Sequence, residues 1–349
     1  MVVRYRTDLP KPAGERKAKV QTATAEAHTD PTRINIGETM IGTEPLCEIL
    51  ETTLFSAHLT NAIPISLMLI GPSGAGKSKL VMQYQHAAGC HVTTDVTSMG
   101  LQELLAKDSS GKVHFIIIPD FNLVLSHRHS TLQLTIGNLL SMTSEGTIRI
   151  DDGRAIKETK HNSIGIISAM TRDMYAGIGK KWIALGFNRR FLPINYDYSL
   201  KTREQVQRSI AMGKTTMLHL SEKRLVIPAS LIDVQISDGN SNRISTYSNE
   251  LATNIGWVGI NSRNRGGRKQ KVNGEPVQKG KQIAKQDQHE FRPRAIFTGK
   301  QIEFSPHIVL RTLARAHALR SNREMVNEDD LEFLMKVIQF TRFDQPVQL

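Results

Sequence analysis

Two short stretches carry the residues with the clearest chemistry. "GPSGAGKS", comprising Gly71, Pro72, Ser73, Gly74, Ala75, Gly76, Lys77 and Ser78, matches the pattern G-x-x-x-x-G-K-[ST]. Glycines at these spacings let backbone N–H groups curl around a phosphate, at a helix start that already favours anions. Lys77 would reach the β- and γ-phosphates of a nucleotide and Ser78 would hold Mg²⁺. The second stretch is "HFIIIPDFN", His114 to Asn122. An apolar run there ends in one acid, Asp120, where two adjacent acids are usual for nucleotide hydrolysis. Asp120 either holds the metal through water, with Phe121 standing at the position of the water-activating acid, or is itself that acid, with Pro119 at the metal side. Water attack needs a positioned base or orienting group. Asn122 can orient a water but cannot take its proton.

These residues need a scaffold. "IPISLMLI" reads as an apolar strand ending at Gly71, followed by a helix. Further strands are expected at 91–97, 113–118, in "NSIGIIS" and in "FLPINYD", with helices at 101–107 and 132–143 between them. Strands alternating with helices imply a parallel sheet covered on both faces. The expected fold class is α/β: a five-stranded parallel sheet around a phosphate loop, followed by an α-helical lid. A helix from Glu44 to His58 precedes it. "EGTIRIDDGRAIKE" reads as a hairpin turning at Asp152-Gly153. After residue 200 the pattern is helical. One late helix should start with Ser305 as cap and Pro306 at its first position, and another with Asn327 as cap. The expected domains are a basic arm without order at 1–35, a nucleotide-binding core at 36–200, and a helical region at 201–349.

Charge is unevenly distributed. The net charge is +12 over 349 residues. Residues 1–20 contribute +4 and residues 261–300 contribute +8, so the rest of the chain is formally neutral. The 261–300 segment, with Arg265, Arg268 and Lys269, is rich in Gly and Gln and reads as a long basic loop inserted in the helical region. Hydrophobic residues make up 39%, enough for a core. No apolar run reaches the 18 or so residues that span a bilayer. The two cysteines, Cys47 and Cys90, suggest buried thiols in a reducing cytoplasm rather than a disulfide framework. His127 and His129 lack the neighbours of a metal site.

The order of "LMLIGPSGAGKS", "FIIIPDF", "EGTIRIDDGRAIKETKHNSIGIISAMT" and "GFNRRFLPI" resembles AAA+ ATPases of the pre-sensor hairpin branch. That branch holds minichromosome-maintenance-type helicases, MoxR-type ATPases and bacterial enhancer-binding activators. The resemblance covers roughly residues 36–221 and 303–340. It implies ATP and Mg²⁺ as ligands and assembly into a ring or related homo-oligomer. It also implies a first sensor at Thr171, with Ser168 as alternative, and an arginine at Arg190, beside Arg189, reaching the neighbouring subunit's site. The second sensor falls on Arg311, with Arg315 as runner-up. Met40 to Gly42 resembles the segment that packs on adenine. Arg149, Arg154 and Lys157 lie on the hairpin that touches DNA in helicases and protein in chaperones. The resemblance thus implies an ATPase acting on nucleic acid as motor, loader or clamp. A protein-remodelling ATPase and an ATP-gated scaffold with slow hydrolysis stand beside that reading.

Overall fold

The near-continuous apolar runs form strands because a parallel sheet is buried on both faces, and alternate residues then serve different layers. The computed structural model describes residues 33–36, 39–108, 111–145, 147–151, 156–160, 163–177, 190–212, 217–218, 223–228, 230–255, 257–260, 290–293 and 304–349. The central sheet is built from β1 (Ser66–Gly71), β2 (Cys90–Val92), β3 (Phe115–Ile118), β4 (Gly165–Thr171), β5 (Phe191–Asp197) and β6 (Val347–Gln348). All its pairs are parallel, in the order β6-β5-β1-β4-β3-β2. The protein is therefore α/β, with six strands rather than the five expected. The sixth escaped because "PVQL" carries no alternating pattern; its two residues are a strand only by lying beside the exposed edge of β5.

One face of the sheet carries Leu67 and Leu69 of β1, Ile117 of β3, Ile167 of β4 and Ile194 of β5. It packs against α1 (Glu44–Phe55), α2 (Lys77–Met82) and three later helices: α7 (Asp238–Ile255), α8 (Phe304–Arg320) and α9 (Glu328–Phe340). The other face carries Met68, Ile70, Ile116, Ile118, Ile166 and Met170. It is covered by α3 (Ser98–Lys107), α4 (Phe121–Leu125) and α5 (His129–Glu145). Between α5 and β4, Thr147–Asp151 pairs antiparallel with Ile156–Lys160, forming the expected hairpin. After β5 comes α6 (Leu200–Ala211), none of whose residues is buried.

Several boundaries differ from expectation. At the close of the expected 1–35 arm, Arg33–Ile36 pairs antiparallel with Lys223–Val226. Helix α8 begins at Phe304, so Ser305 lies in its first turn rather than at the cap. Pro306 is tolerated there because first-turn N–H groups have no intrahelical partner. Asn327 does cap α9, in a reciprocal box with Asp330. Arg154, Arg265, Arg268 and Lys269 lie outside the described residues, as does Arg189.

A charged cluster joins α1 to α8 and α9. His317 Nδ1 lies 2.6 Å from Asp330 Oδ1, and its ring stacks on Phe333 with centroids 4.2 Å apart. Arg323 donates twice to the fully buried Asp330 carboxylate, and Arg320 donates to Glu51 of α1 at 2.8 Å. Burial alone would lower the His317 pKa, but hydrogen bonds to Asp330 and Glu48 outweigh it and the net shift is upward. Burial likewise opposes the Asp330 charge, but His317, Arg323 and the Asn327 backbone outweigh it and the net shift is downward.

Asp330→Asn is expected to destabilise the protein by about 3 kcal/mol in urea unfolding at neutral pH, since it leaves cations facing a neutral group. The contribution of His317 should be full below the unfolded-state value, about 6.5, and fade as pH rises through the raised folded value. That of Asp330 should fade as pH falls through its lowered folded value. A wild-type minus His317→Gln stability difference that grows with alkaline pH would contradict this assignment.

Candidate functional site

The candidate site lies at the carboxyl ends of the strands, where open α/β sheets bind ligands. β1 has partners on both sides, with Gly71 opposite Thr171 of β4 and Ile70 opposite Asn195 of β5. The chain leaves β1 into the 71–78 loop, whose turns need glycine: Gly74 has φ +75° and Gly76 has φ +69°. Gly76 precedes Lys77, the first residue of α2.

Lys77 is buried and turned back on its own loop. Its Nζ donates to the carbonyls of Gly71 at 3.1 Å and Pro72 at 2.6 Å. Burial pushes its pKa down, partly countered by the Asp120 carboxylate and reinforced by Arg172. Both charges therefore lie within electrostatic reach of the ammonium. Ser78 Oγ donates to Pro119 O at 2.8 Å, tying α2 to the end of β3. Asp120 caps α4, with Oδ1 accepting from Asn122 N at 3.0 Å. Phe121 is fully buried in the core, so its position offers nothing to a ligand.

These groups line one cleft of about 450 Å³. Its walls are Ser73 to Lys79, Asp120, Asn122 and Ala169 to Thr171. Residues of the glycine-rich loop, the single acid and the end of β4 thus converge on one cavity although they lie far apart in sequence. Oxygen donors from Ser78 and Asp120 suit a hard divalent cation such as Mg²⁺. Among the described residues, no group of three or more His, Cys, Asp or Glu could hold a metal ion by itself. His127 instead pairs with Asp95 at 2.9 Å.

The sensor candidates separate. Thr171 lines the cleft, and its Oγ1 also accepts from Met174 N at 3.4 Å. Ser168 is fully buried, and its Oγ donates to Ile118 O at 2.6 Å, so it links β4 to β3 and does not serve as the alternative. Arg315 is buried and spends its guanidinium on Val234 O, Thr60 O and Asp233, which removes it as runner-up. Arg311 is exposed on α8 and is not among the cleft residues. Arg190 lies at the opposite end of β5, in a second cavity of about 300 Å³ with Ile63, Ile308 and Val309. Its Nε is buried without a hydrogen-bond partner among the described residues. Gly42 sits against Thr202 and Leu349 rather than in the cleft. Lys157 belongs to the described hairpin strand and is not among the cleft residues.

Sequence reasoning missed the groups behind the loop. Arg172 follows Thr171 and donates through Nε to Asn195 Oδ1 and through Nη2 to Tyr196 O, both at 3.1 Å. Tyr196 and Tyr198 both donate to Ala75 O. The only trace in the sequence is "NYDY", tyrosines two apart at a strand end, a pattern that also suits plain core packing. Among the described residues, no helix is long and apolar enough to cross a membrane. No protein-family model matches the chain, and no curated protein matches its sequence.

The two β4 hydroxyls should behave differently on removal. Ser168→Ala should cost about 1 kcal/mol of stability, as a buried hydrogen bond does, and leave ligand affinity at the cleft unchanged in titration calorimetry. A tenfold loss of affinity would mean that Ser168 reaches the ligand.

Proposed function

We propose that this chain is an AAA+-type ATP-binding protein that hydrolyses ATP slowly, assembles with copies of itself and acts on nucleic acid. The observation that carries the reading is the convergence of Lys77, Ser78, Asp120 and Thr171 on one cleft at the carboxyl ends of a parallel sheet. A glycine-rich loop with two left-handed glycines, a buried lysine and a strand-end acid is a site for the phosphates of a nucleotide. Lys77 would exchange the Gly71 and Pro72 carbonyls for phosphate oxygens. Ser78 and Asp120 would hold Mg²⁺, which supplies charge neutralisation on the phosphates.

Slow hydrolysis follows from the end of β3. Ser78 meets the chain at the Pro119 carbonyl, so a backbone oxygen stands on the metal side. Asp120, next along, is the acid left for the water, and it is also engaged as a helix cap. Phe121 is turned into the core. One short carboxylate thus serves two tasks, which favours a switch or timer over a fast motor. Arg190 is remote from the cleft of its own chain, consistent with delivery to a neighbouring copy, where an arginine can raise turnover by orders of magnitude. Arg311 would serve as the second sensor only after a rearrangement of α8. Nucleic acid is the partner favoured by the charge of 261–300, with Arg265, Arg268 and Lys269, and by Arg154 and Lys157 in the sequence "RIDDGRAIKE".

Lys77→Ala should weaken binding of a fluorescent ATP analogue by about a hundredfold, the loss expected for a desolvated charge-assisted contact. Retained binding would overturn the nucleotide site. Arg190→Ala and Lys77→Ala copies should each be inactive alone, and mixing them should restore ATP turnover. No restoration at any ratio would exclude an arginine supplied between copies. Binding to duplex DNA should fall by about tenfold or more between 50 and 200 mM salt, and absence of binding at low salt would remove nucleic acid as the partner.

A further inference from the structure

Two tyrosine hydroxyls from the end of β5 meet on a single backbone carbonyl. Tyr196 and Tyr198 are two residues apart, so they project from the same side of an extended chain. The β1–β5 register sets Ile70 opposite Asn195. Both rings therefore stand alongside the loop as it leaves β1. Tyr196 Oη donates to Ala75 O at 3.3 Å and Tyr198 Oη donates to the same oxygen at 3.1 Å. The rings pack edge to face, with centroids 6.0 Å apart. Tyr196 is fully buried against Gly71, where an added Cβ would lie 3.3 Å from its ring. Burial raises the pKa of both phenols, that of Tyr198 to about 12, so both remain donors at neutral pH.

A buried phenol needs an acceptor, but that need does not explain why two share one oxygen in the middle of the loop. The geometry of the peptide unit does. The Ala75–Gly76 bond is trans and planar, so its C=O and N–H point in opposite directions. A carbonyl drawn toward β5 turns the Gly76 N–H away from β5, on the residue that lines the cleft. Gly76 adopts the left-handed conformation at this peptide, which a glycine allows at little cost.

We infer that Tyr196 and Tyr198 are positioning residues. They hold the Ala75–Gly76 peptide so that the Gly76 amide is set to donate to a polyphosphate before the ligand arrives. This rests on the nucleotide-binding reading of the 71–78 loop. The recognised group is the phosphate chain, not the base. Preorganised donors of this kind bind tightly because little ordering is left for the moment of binding.

The test measures ATP and inorganic tripolyphosphate affinities of the full chain by calorimetry, for wild type, Tyr198→Phe, Tyr196→Phe and the double variant. Phenylalanine keeps the ring and removes only the donor. Each single change should weaken both ligands about threefold and the pair should weaken both by on the order of tenfold. The Gly76 amide resonance, one of the four that labelling alanine carbonyls and glycine nitrogens selects (Gly14, Gly76, Gly89 and Gly177) and assigned by its loss in Ala75→Ser, should shift on adding tripolyphosphate to wild type and lose that shift in the double variant. A role in packing alone would leave this shift intact. Tyr198 is only half-buried, so its variant keeps the test available should the Tyr196 change disturb the core. Unchanged affinities in folded variants, or a loss for ATP but not tripolyphosphate, would overturn the inference while leaving the nucleotide site standing. Failure of wild type to bind either ligand would instead remove the nucleotide reading itself.

Discussion

The structure depends on β1 being held from both sides. Its backbone is paired with β4 and β5, and its side chains are buried above and below the sheet. A strand in that position has no freedom to slip, because a one-residue shift would exchange the residues of its two packed faces. The point at which the chain leaves β1, and hence the position of the glycine-rich loop, is set by that constraint. Thr171 is brought to the cleft by its register opposite Gly71, and Tyr196 is set behind the loop by the register of β5.

Around this frame, polar groups do two kinds of work. Some stitch the sheet: Ser66 Oγ accepts from Ile166 N, and Ser168 Oγ donates to Ile118 O, so two hydroxyls in apolar strands satisfy or reinforce backbone groups where water is absent. Others join helices of one layer. Asp330, His317, Arg320 and Glu51 connect α1, α8 and α9 through charges largely hidden from solvent. Removing one partner from such a cluster costs more than the cluster contributes as a whole, because the remaining charges lose their counterions in a medium that solvates them poorly.

The β3 end carries a comparable tension at the cleft. Asp120 is a helix cap and also the acid nearest Lys77 in charge terms. Capping fixes its position, which helps a ligand find it, but it also commits one oxygen. Pro119 has no N–H to give, yet its carbonyl receives Ser78. Arg172 adds positive potential behind the loop while its own donors are taken up by Asn195 and the β5 backbone. The charged groups at and behind the cleft are thus already anchored by the fold, Arg172 also by Asp197 at 3.7 Å.

Much of this was legible in the chain itself. Runs such as "SLMLI" and "FIII" announce buried parallel strands because both faces must be apolar, and "GPSGAGKS" announces its turn because its glycines must take conformations other residues avoid. The α9 cap at Asn327 and the hairpin were legible for the same local reasons. Roles decided at long range were not. Ser168 and Thr171 are similar hydroxyls three residues apart, and only strand pairing turns one into the sheet and leaves the other at the cleft. Arg311 and Arg315 sit one helical turn apart, and only the position of Val234, Thr60 and Asp233 decides which is consumed. The sixth strand and the two tyrosines on Ala75 likewise depend on segments that meet only after the sheet has formed. Sequence alone determined most of the elements and the turn of the glycine-rich loop, because backbone preference and apolar periodicity are local. Tertiary structure decided which polar side chains remain at the cleft, because a hydrogen-bond donor is spent on whichever acceptor folding brings within reach.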